Sequence, residues 1–215
     1  MIKGIIFDLD GVLVSTDELH YIAWKKLAVE LGIHNYNRED NQRQRGISRM
    51  ASLEILLEKS NKVYSEKEKI FLAEQKNGFY MEELKKLDKS VLLKNIEQAL
   101  MELKCRNLLL SVGSASKNAL TILEKTGLLP YFNQISSGLD TTYSKPNPEV
   151  FLIAAEKMQL EPEACLVVED AAAGIEAARR GNMRSLAVGP LYQTLEADFK
   201  AEMLCMVTDW NNILA

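Results

Sequence analysis

The residues most able to do chemistry stand near the start of the chain. Asp8 and Asp10 follow the apolar run Ile5-Ile6-Phe7 and are themselves followed by Gly11. An apolar run of this kind indicates a buried strand, and side chains two positions apart in an extended chain point the same way. Two carboxylates that share one space repel each other unless a cation lies between them, and Mg²⁺ is a hard ion that prefers such oxygen ligands. The pattern predicts a magnesium site at the carboxyl end of a strand, with an ordinary acidic turn as the alternative.

A second pair of acids, Glu169 and Asp170, repeats this arrangement later in the chain. The pair ends the apolar run at 165–168 and precedes the small residues at 171–174. Acids are also favoured at a helix N-terminus by the helix dipole, so a structural role is the alternative. The apolar strand before the pair favours a second chemical position at a strand end.

Ser114 and Lys145 are further candidates, both in loops that lead into helices. Ser114 follows the apolar run at 108–112 and opens a run of small hydroxyl residues. The N-terminus of a helix presents free N–H groups that bind phosphate, although Ser116 in this run is equally explained as an N-cap. Lys145 precedes Pro146, where a lone lysine is usually a solvated charge. Its ammonium is also suited to bind phosphate as a point charge.

The elements that must position these residues fall into two kinds. From residue 91 onward, strand-like runs at 108–112, 135–136, 165–168 and 185–188 alternate with helical patterns, and a weaker run lies at 204–207. Between residues 15 and 88 only helical patterns occur, with capping boxes at 15–18 and 65–68. We predict an α/β fold, with a Rossmann-like doubly wound parallel sheet as the core. Residues 1–14 and 93–215 would form this core, and residues 15–92 an inserted all-helical cap domain.

The composition is that of an ordinary globular domain. The chain has 215 residues, of which 47% are hydrophobic and 26% charged, and its net charge is −4. This acidic balance argues against nucleic-acid binding, and no apolar run approaches the roughly 18 residues of a membrane span. Acids interrupt the N-terminal segment by Asp8, so we expect no signal peptide. Three widely spaced cysteines, Cys105, Cys165 and Cys205, predict buried reduced thiols in a cytoplasmic protein.

Four motifs in this order resemble those of the haloacid dehalogenase-like superfamily. The segment Asp8-Leu-Asp-Gly-Val12 is similar to the first motif, Ser114 to the second, Lys145 to the third and Glu169-Asp170 to the fourth. The resemblance implies that Asp8 is the nucleophile that forms an aspartyl-phosphate and that Asp10 is the general acid and base. Ser114 and Lys145 would neutralise charge on the transferring group. The implied Mg²⁺ ligands are Asp8, the main-chain carbonyl of Asp10, Glu169 and Asp170.

Within the superfamily the resemblance narrows to the β-phosphoglucomutase family and covers essentially the whole chain. The residues that carry it are His20, Trp24 and Lys25, the segment 45–52, Lys76-Asn77, and the segment 114–118. The implied substrate-binding residues are Asp10, His20, Trp24, Gly46, Ile47, Arg49, Ser52, Lys76, Ser116, Lys117 and Asn118. Arg49 would grip the phosphate that is not being transferred, because a guanidinium binds phosphate through two donors. His20 would assist proton transfer at Asp10.

Several of these residues also have structural explanations. His20 lies on an amphipathic helix, Trp24 suits a hydrophobic core, and Arg49 and Lys76 could be solvated helix charges. Two departures from the family pattern stand in the sequence. Ser15-Thr16 replaces the usual Asp-Thr, and residues 139–143 differ from the family.

The resemblance implies an isomerase, a phosphosugar mutase of carbohydrate metabolism. It would interconvert β-D-glucose 1-phosphate and β-D-glucose 6-phosphate through glucose 1,6-bisphosphate. This intermediate must reverse its orientation in the site so that either phosphate can meet Asp8, which requires a cap that opens and shuts. A Mg²⁺-dependent sugar-phosphate phosphatase and a non-catalytic phosphate-binding module are the alternatives. We expect a cytoplasmic monomer that acts on a small sugar phosphate and binds neither nucleic acid nor membrane.

Overall fold

The computed structural model describes residues 1–44 and 47–215. Gly46, one of the predicted substrate residues, lies outside the described residues. The chain divides into two compact units. One comprises Met1–Ser15 and Asp88–Ala215, and the other comprises Thr16–Leu87. We call them the α/β unit and the helical unit.

The α/β unit is built on one parallel sheet, as the alternating pattern predicted. Its strands are β1 (Gly4–Phe7), β2 (Leu109–Gly113), β3 (Gln134–Ser136), β4 (Cys165–Glu169), β5 (Arg184–Ala187) and β6 (Phe199–Lys200). Their order across the sheet is β3-β2-β1-β4-β5-β6, and each neighbouring pair is parallel. The order reverses direction at β1, which therefore lies between β2 and β4. In open α/β sheets this reversal is where ligands bind.

Most of the helices lie where the sequence shows helical patterns. The helices are α1 (Asp17–Glu30), α2 (Arg38–Arg43), α3 (Arg49–Leu57), α4 (Glu66–Leu84), α5 (Ile96–Cys105), α6 (Ala119–Thr126), α7 (Glu149–Lys157), α8 (Ala172–Arg180) and α9 (Trp210–Leu214). Of these, α2 and α9 were not predicted. The first four belong to the helical unit and the other five to the α/β unit. Short 3₁₀ turns occur at Lys89–Val91, Leu129–Tyr131, Pro162–Ala164 and Leu204–Met206.

The core of the α/β unit explains why these strands are almost uniformly apolar. A parallel sheet covered by helices buries both faces. Ile6 of β1 and Val167 of β4 pack with Phe151 and Ala154 of α7, in a cluster whose members are at most 5% exposed. Gly113 at the end of β2 is required here, because a Cβ on it would lie 2.6 Å from the Phe151 ring.

Two local predictions were wrong. Residues 204–207 do not form a strand, since the segment Leu204–Met206 is a 3₁₀ turn, and the sheet ends instead with Phe199–Lys200. An edge strand of two residues carries no periodic signal of its own. Ser15 is not the N-cap of α1, because the helix begins at Asp17 with Thr16 as its N-cap residue and no side-chain capping bond.

Among its described residues, the helical unit contains helices and turns, with no strand. Ser65 and Glu68 form the predicted capping box of α4, and Ser48 caps α3 by accepting from the N–H of Ala51 at 3.2 Å. Its apolar core includes Trp24 and Leu27 of α1 and Leu53 and Leu56 of α3, with Ala73 of α4. The regular structure among the described residues of this unit is therefore helical, as the sequence pattern indicated.

The cysteine prediction is correct only in part. The three thiols are free, but Cys105 is exposed, Cys205 is half-buried and only Cys165 is buried. In the described part of the chain, no helix combines the length and the apolar character that crossing a bilayer would require.

Candidate active site

Asp8 stands at the centre of the carboxyl edge of the sheet. It is the first residue after β1, and its N–H donates to the carbonyl of Val168 in the neighbouring β4 at 2.9 Å. Asp10 follows in a tight turn and keeps part of its surface exposed. Gly11 has a φ of +87°, and its N–H donates to the carbonyl of Val14 at 2.8 Å. A Cβ at Gly11 would overlap the Asp170 carboxylate, so the turn needs glycine for its backbone and for space.

Lys145 reaches the same point from the loop before α7. Its Nζ donates to Oδ1 of Asp8 at 2.5 Å and to Oε1 of Glu169 at 2.7 Å. The side chain is 1% exposed, and Nζ lies 4.5 Å from the centroid of the Phe151 ring. Because Lys145 is this deeply buried and has two carboxylate partners, it is not a solvated surface charge.

Glu169 and Asp170 lie at the end of β4, next to β1. Oε2 of Glu169 accepts the backbone N–H groups of Asp170 and Ala171, each at 2.8 Å, which fixes the carboxylate at the start of α8. A Cβ at Gly174 in α8 would overlap the Glu169 carboxylate. The small residues seen after the acid pair therefore make room for the acid itself.

Asp8, Glu169 and Asp170 form a group that fits a metal ion. Each is buried and offers one carboxylate oxygen, and these three atoms lie within 4.8 Å of one another. With all three ionised, Lys145 neutralises one charge and leaves two negative charges in excess. Hard oxygen donors with an excess of two negative charges are what Mg²⁺ prefers. The glycines that clear space for two of the carboxylates support the same fit.

Burial and the neighbouring charges strongly perturb Asp8 and Lys145 in this group. Burial raises the pKa of the Asp8 carboxyl well above its usual value, Lys145 opposes this, and Glu169 and Asp170 add to it. Burial lowers the pKa of the Lys145 ammonium, but Asp8 and Glu169 outweigh burial and raise that pKa above its usual value. Additional positive charge near Asp8 would lower this pKa and favour the ionised carboxylate.

Ser114 lies one residue beyond β2 and is 3% exposed. Its N–H donates to the carbonyl of Ser136 at 3.0 Å, and its Oγ accepts the N–H of Ser116 at 3.1 Å. Ser116 in turn accepts the N–H of Asn118 at 3.2 Å. Asn118 is the residue before α6, so Ser116 is not the N-cap of that helix. Lys117 is exposed.

In the helical unit, a second polar cluster surrounds His20. Lys76 is 3% exposed, and its Nζ lies 2.8 Å from Nδ1 of His20 and 4.6 Å from the centroid of the Trp24 ring. The Tyr80 ring stacks on His20 with centroids 4.2 Å apart. Burial, then Lys76 and Arg49, lower the pKa of His20 well below its usual value. An ammonium only donates, so Nδ1 accepts and the proton of the neutral ring lies on Nε2.

Arg49 is the first residue of α3, and its guanidinium donates to Oδ1 of Asn77 in α4 at 2.9 Å. Burial lowers the pKa of Arg49, which nevertheless remains a cation. Ser52, one turn further along α3, is 5% exposed, whereas Ile47 keeps part of its surface exposed. Trp24 is 2% exposed and belongs to the apolar core of the helical unit, as its hydrophobic character indicated. The face of its ring also contacts the Lys76 ammonium.

Sequence reasoning did not give a site role to two aromatic residues. Phe151 borders the Lys145 ammonium at 4.5 Å and Tyr80 borders that of Lys76 at 4.8 Å. Aromatic faces attract cations that have lost their water. The spacing of Lys76 and Tyr80, four residues apart on one helix, is the signal that could have found the second contact.

The fold and this site define the class of protein. The chain belongs to the haloacid dehalogenase-like hydrolase family, whose model matches residues 5–188. It is similar to the β-phosphoglucomutase of Bacillus subtilis strain 168, with 37% identity over 198 residues, 91% of this chain and 87% of that protein. The crystal structure of the β-phosphoglucomutase from Clostridium difficile is 37% identical, with a TM-score of 0.90, and covers 99% of this chain and 96% of that one. The phosphorylated carbohydrates phosphatase of Thermotoga maritima is 28% identical over 86% of this chain and 83% of its own.

Proposed function

We propose that this protein is a β-phosphoglucomutase. It interconverts β-D-glucose 1-phosphate and β-D-glucose 6-phosphate through an aspartyl-phosphate on Asp8 and the intermediate glucose 1,6-bisphosphate. The observation that carries phosphoryl transfer at Asp8 is its contact with Lys145, which also contacts Glu169. The choice of substrate is supported by the 37% identity to the β-phosphoglucomutase of Bacillus subtilis over 91% of this chain.

In the proposed reaction a carboxylate oxygen of Asp8 attacks phosphorus and the bond from phosphorus to the sugar oxygen breaks. Asp10 gives a proton to the departing sugar oxygen and later takes one from the sugar hydroxyl that attacks the aspartyl-phosphate. Lys145, held between two carboxylates, and the Ser114 hydroxyl stabilise the charge on the transferring group. Because these groups are already fixed by their neighbours, little reorganisation is needed during the transfer.

Asp8, Glu169, Asp170 and the main-chain carbonyl of Asp10 would hold Mg²⁺. When bound, the ion would supply positive charge that favours the ionised form of Asp8 and neutralises phosphoryl oxygens. The raised pKa of Asp8 supports this assignment, since burial and the neighbouring charges of Glu169 and Asp170 raise it even with Lys145 beside it.

The helical unit would bind the phosphate that is not being transferred. Arg49 suits this task because its planar guanidinium offers two donors, and Lys76 adds a second cation. Neutral His20 would take part in the proton transfer at Asp10. Further sugar-phosphate contacts are assigned to Trp24, Gly46, Ile47, Ser52, Ser116, Lys117 and Asn118. We propose that the enzyme works as a monomer in the cytoplasm, with glucose 1,6-bisphosphate as its activator.

A sugar-phosphate phosphatase is the competing function, favoured by the 28% identity to the Thermotoga maritima phosphatase. The two differ in whether a sugar hydroxyl or water attacks the aspartyl-phosphate. The deciding assay supplies Mg²⁺, β-glucose 1-phosphate and a trace of glucose 1,6-bisphosphate, and follows glucose 6-phosphate and inorganic phosphate together. Rapid formation of glucose 6-phosphate with little phosphate release supports the mutase. Dominant phosphate release indicates the phosphatase, and the absence of both products indicates a phosphate-binding module.

Two variants test the assigned roles in the same assay. Asp8→Ala should lose covalent labelling by phosphoryl donors, and labelling that persists would remove Asp8 from its role as nucleophile. Arg49→Ala should reduce mutase turnover more than the hydrolysis of acetyl phosphate, which has no second phosphate to bind. Equal losses would mean that Arg49 does not bind the second phosphate.

A further inference from the structure

The helical unit contains buried polar side chains that no step of the proposed reaction uses. Tyr36, in the segment between α1 and α2, is 1% exposed, and Gln44, at the end of α2, is 8% exposed. Tyr36 belongs to the apolar core of the unit, together with Leu53 and Leu56. Polar groups in such surroundings are costly unless they are hydrogen-bonded, so their partners show what the arrangement holds together.

Gln44 joins Tyr36 to α3 through both ends of its amide. The Tyr36 hydroxyl donates to Oε1 of Gln44 at 2.7 Å, and Nε2 of Gln44 donates to the carbonyl of Ser52 at 2.8 Å. The Ser52 hydroxyl contacts the carbonyl of Gln44 at 3.5 Å. The carbonyl of Ser52 can only accept, so the amide NH₂ must face α3 and the amide oxygen must face Tyr36. The two partners therefore impose a single orientation on the amide.

This connection spans the stretch of sequence that contains Arg49. Gln44 precedes Arg49 by five residues and Ser52 follows it by three, in the first turns of α3. The guanidinium of Arg49 donates to Asn77 on the far side, in α4. The beginning of α3 is thus held from α2 through Gln44 and from α4 through Asn77, which restricts the position of the cation between them.

We propose that Gln44, oriented by Tyr36, is a positioning residue that sets the location of Arg49 for binding the second phosphate. This proposal rests on the proposed function, because it presumes that Arg49 binds that phosphate. Gln44 contributes no group to the substrate. It acts by holding the first turns of α3 in one place relative to α2, so that the entropy of ordering Arg49 is already lost before substrate arrives.

Other contacts between α2 and the region of α3 offer a matched control. Arg43 donates twice to Glu58, at 2.8 and 2.9 Å, and Lys59 lies 2.5 Å from Asp40. Both pairs attach α2 beyond the C-terminal end of α3, at least nine residues after Arg49. The Arg43–Glu58 pair is exposed, so its loss should hardly affect stability. Glu58→Gln therefore loosens the same two helices without touching the turns that carry Arg49.

The test compares Gln44→Met, Tyr36→Phe and Glu58→Gln with the wild-type enzyme. Gln44→Met keeps the volume and removes both hydrogen bonds, so we expect the KM for β-glucose 1-phosphate to rise about fivefold to tenfold with kcat changed less than about twofold. Tyr36→Phe should raise KM about twofold to fivefold, since the Gln44–Ser52 bond remains. The double variant should be no worse than Gln44→Met, because both changes break one connection. Glu58→Gln should leave KM unchanged, and all variants should hydrolyse acetyl phosphate at the wild-type rate.

Three results would overturn the positioning role. One is a KM for Gln44→Met that rises no more than that of Glu58→Gln. Another is a loss of acetyl phosphate hydrolysis by Gln44→Met as large as its loss of kcat/KM for β-glucose 1-phosphate, which a general loss of folded protein would cause. The third is a double variant whose KM rises by the product of the two single effects. Should Gln44→Met not fold, Tyr36→Phe decides by the same comparison with Glu58→Gln, since it removes a single hydroxyl and leaves the amide in place.

Failure of the proposed function can be distinguished from failure of the positioning role of Gln44. A wild-type enzyme without mutase activity contradicts the proposed function, and amide hydrogen exchange in α3 then decides the positioning. We expect Gln44→Met to speed exchange at Ser52 and Leu53 about fivefold or more relative to Glu58→Gln. Equal exchange in the two variants would show that Gln44 does not hold the start of α3.

Discussion

Nζ of Lys145 lies 2.5 Å from Oδ1 of Asp8, although 137 residues separate them in the chain. The same ammonium lies 2.7 Å from Glu169 and is shielded from solvent, with its side chain 1% exposed. In such surroundings a charge interacts more strongly than in water, because little solvent screens it. Lys145 is therefore the cation that allows two acids to be buried side by side.

Replacing Lys145 by Met should damage both activity and folding. Turnover should fall about 100-fold or more, because the transferring group loses a fixed positive charge. The unfolding free energy, measured by urea denaturation at pH 8 in EDTA, should fall by roughly 3 kcal/mol, since a buried pair loses one partner. The loss should be smaller at pH 5, because a carboxyl whose pKa is raised in the folded state takes up a proton as the pH falls and relieves the repulsion. Lys94→Met, at an exposed lysine, is the control, and equal effects of the two changes would contradict the prediction.

Mg²⁺ should stabilise the folded protein through Asp8, Glu169 and Asp170. An ion present at one hundred times its dissociation constant adds about 2.7 kcal/mol if it binds the native state alone. We expect the Tm to rise with MgCl₂ and to return to its starting value with EDTA. Asp170→Asn should remove this response, whereas Glu156→Gln, at an exposed acid of α7, should keep it. An unchanged response in Asp170→Asn would mean that the ion binds elsewhere.

Two glycine substitutions in helices should act in opposite directions. Gly174→Ala should lower the unfolding free energy by about 2 kcal/mol and weaken the response to Mg²⁺, because the new Cβ would overlap the Glu169 carboxylate. Gly78→Ala should raise the unfolding free energy by about 0.5–1 kcal/mol, since Gly78 lies within α4 with nothing within 4 Å of a Cβ. Urea denaturation of both variants measures the two changes in unfolding free energy. A Gly174→Ala protein as stable as the wild type would mean that the carboxylate moves aside at no cost.

His20 should make the folded protein less stable in acid. Burial, Lys76 and Arg49 lower its pKa in the folded state well below 6.5, whereas the unfolded chain takes up a proton near that value. As the pH falls below about 6.5 the unfolded state binds a proton that the folded state does not, and the unfolding free energy falls by up to about 1.4 kcal/mol per pH unit. Urea denaturation of the wild type and of His20→Gln between pH 7.5 and 5 measures this. The difference between them should change with pH, and a constant difference would show that His20 titrates normally when folded.

Local pattern was sufficient to predict most elements. The apolar runs before Asp8, Ser114 and Glu169 became β1, β2 and β4, and the Ser65–Glu68 capping box opens α4 as expected. The incorrect predictions also have physical causes. The capping box at 15–18 was wrong because the chain at Ser15 is engaged elsewhere, its N–H donating to the carbonyl of Val91. Helix α2 has no apolar stripe and was missed, although Asn37 and Asp40 form a capping box there.

By itself the sequence determined which residues stand at strand ends, because burial makes strands apolar and the polar residues that follow them conspicuous. It also determined the family, since four short motifs in order are informative where one alone is not. The tertiary structure alone decided that β1 lies between β2 and β4, which brings Asp8 to Lys145 and Glu169. It likewise decided that Gln44 links Tyr36 to Ser52. Strand order and buried polar contacts depend on the free energy of packing distant segments together, and no local pattern records that free energy.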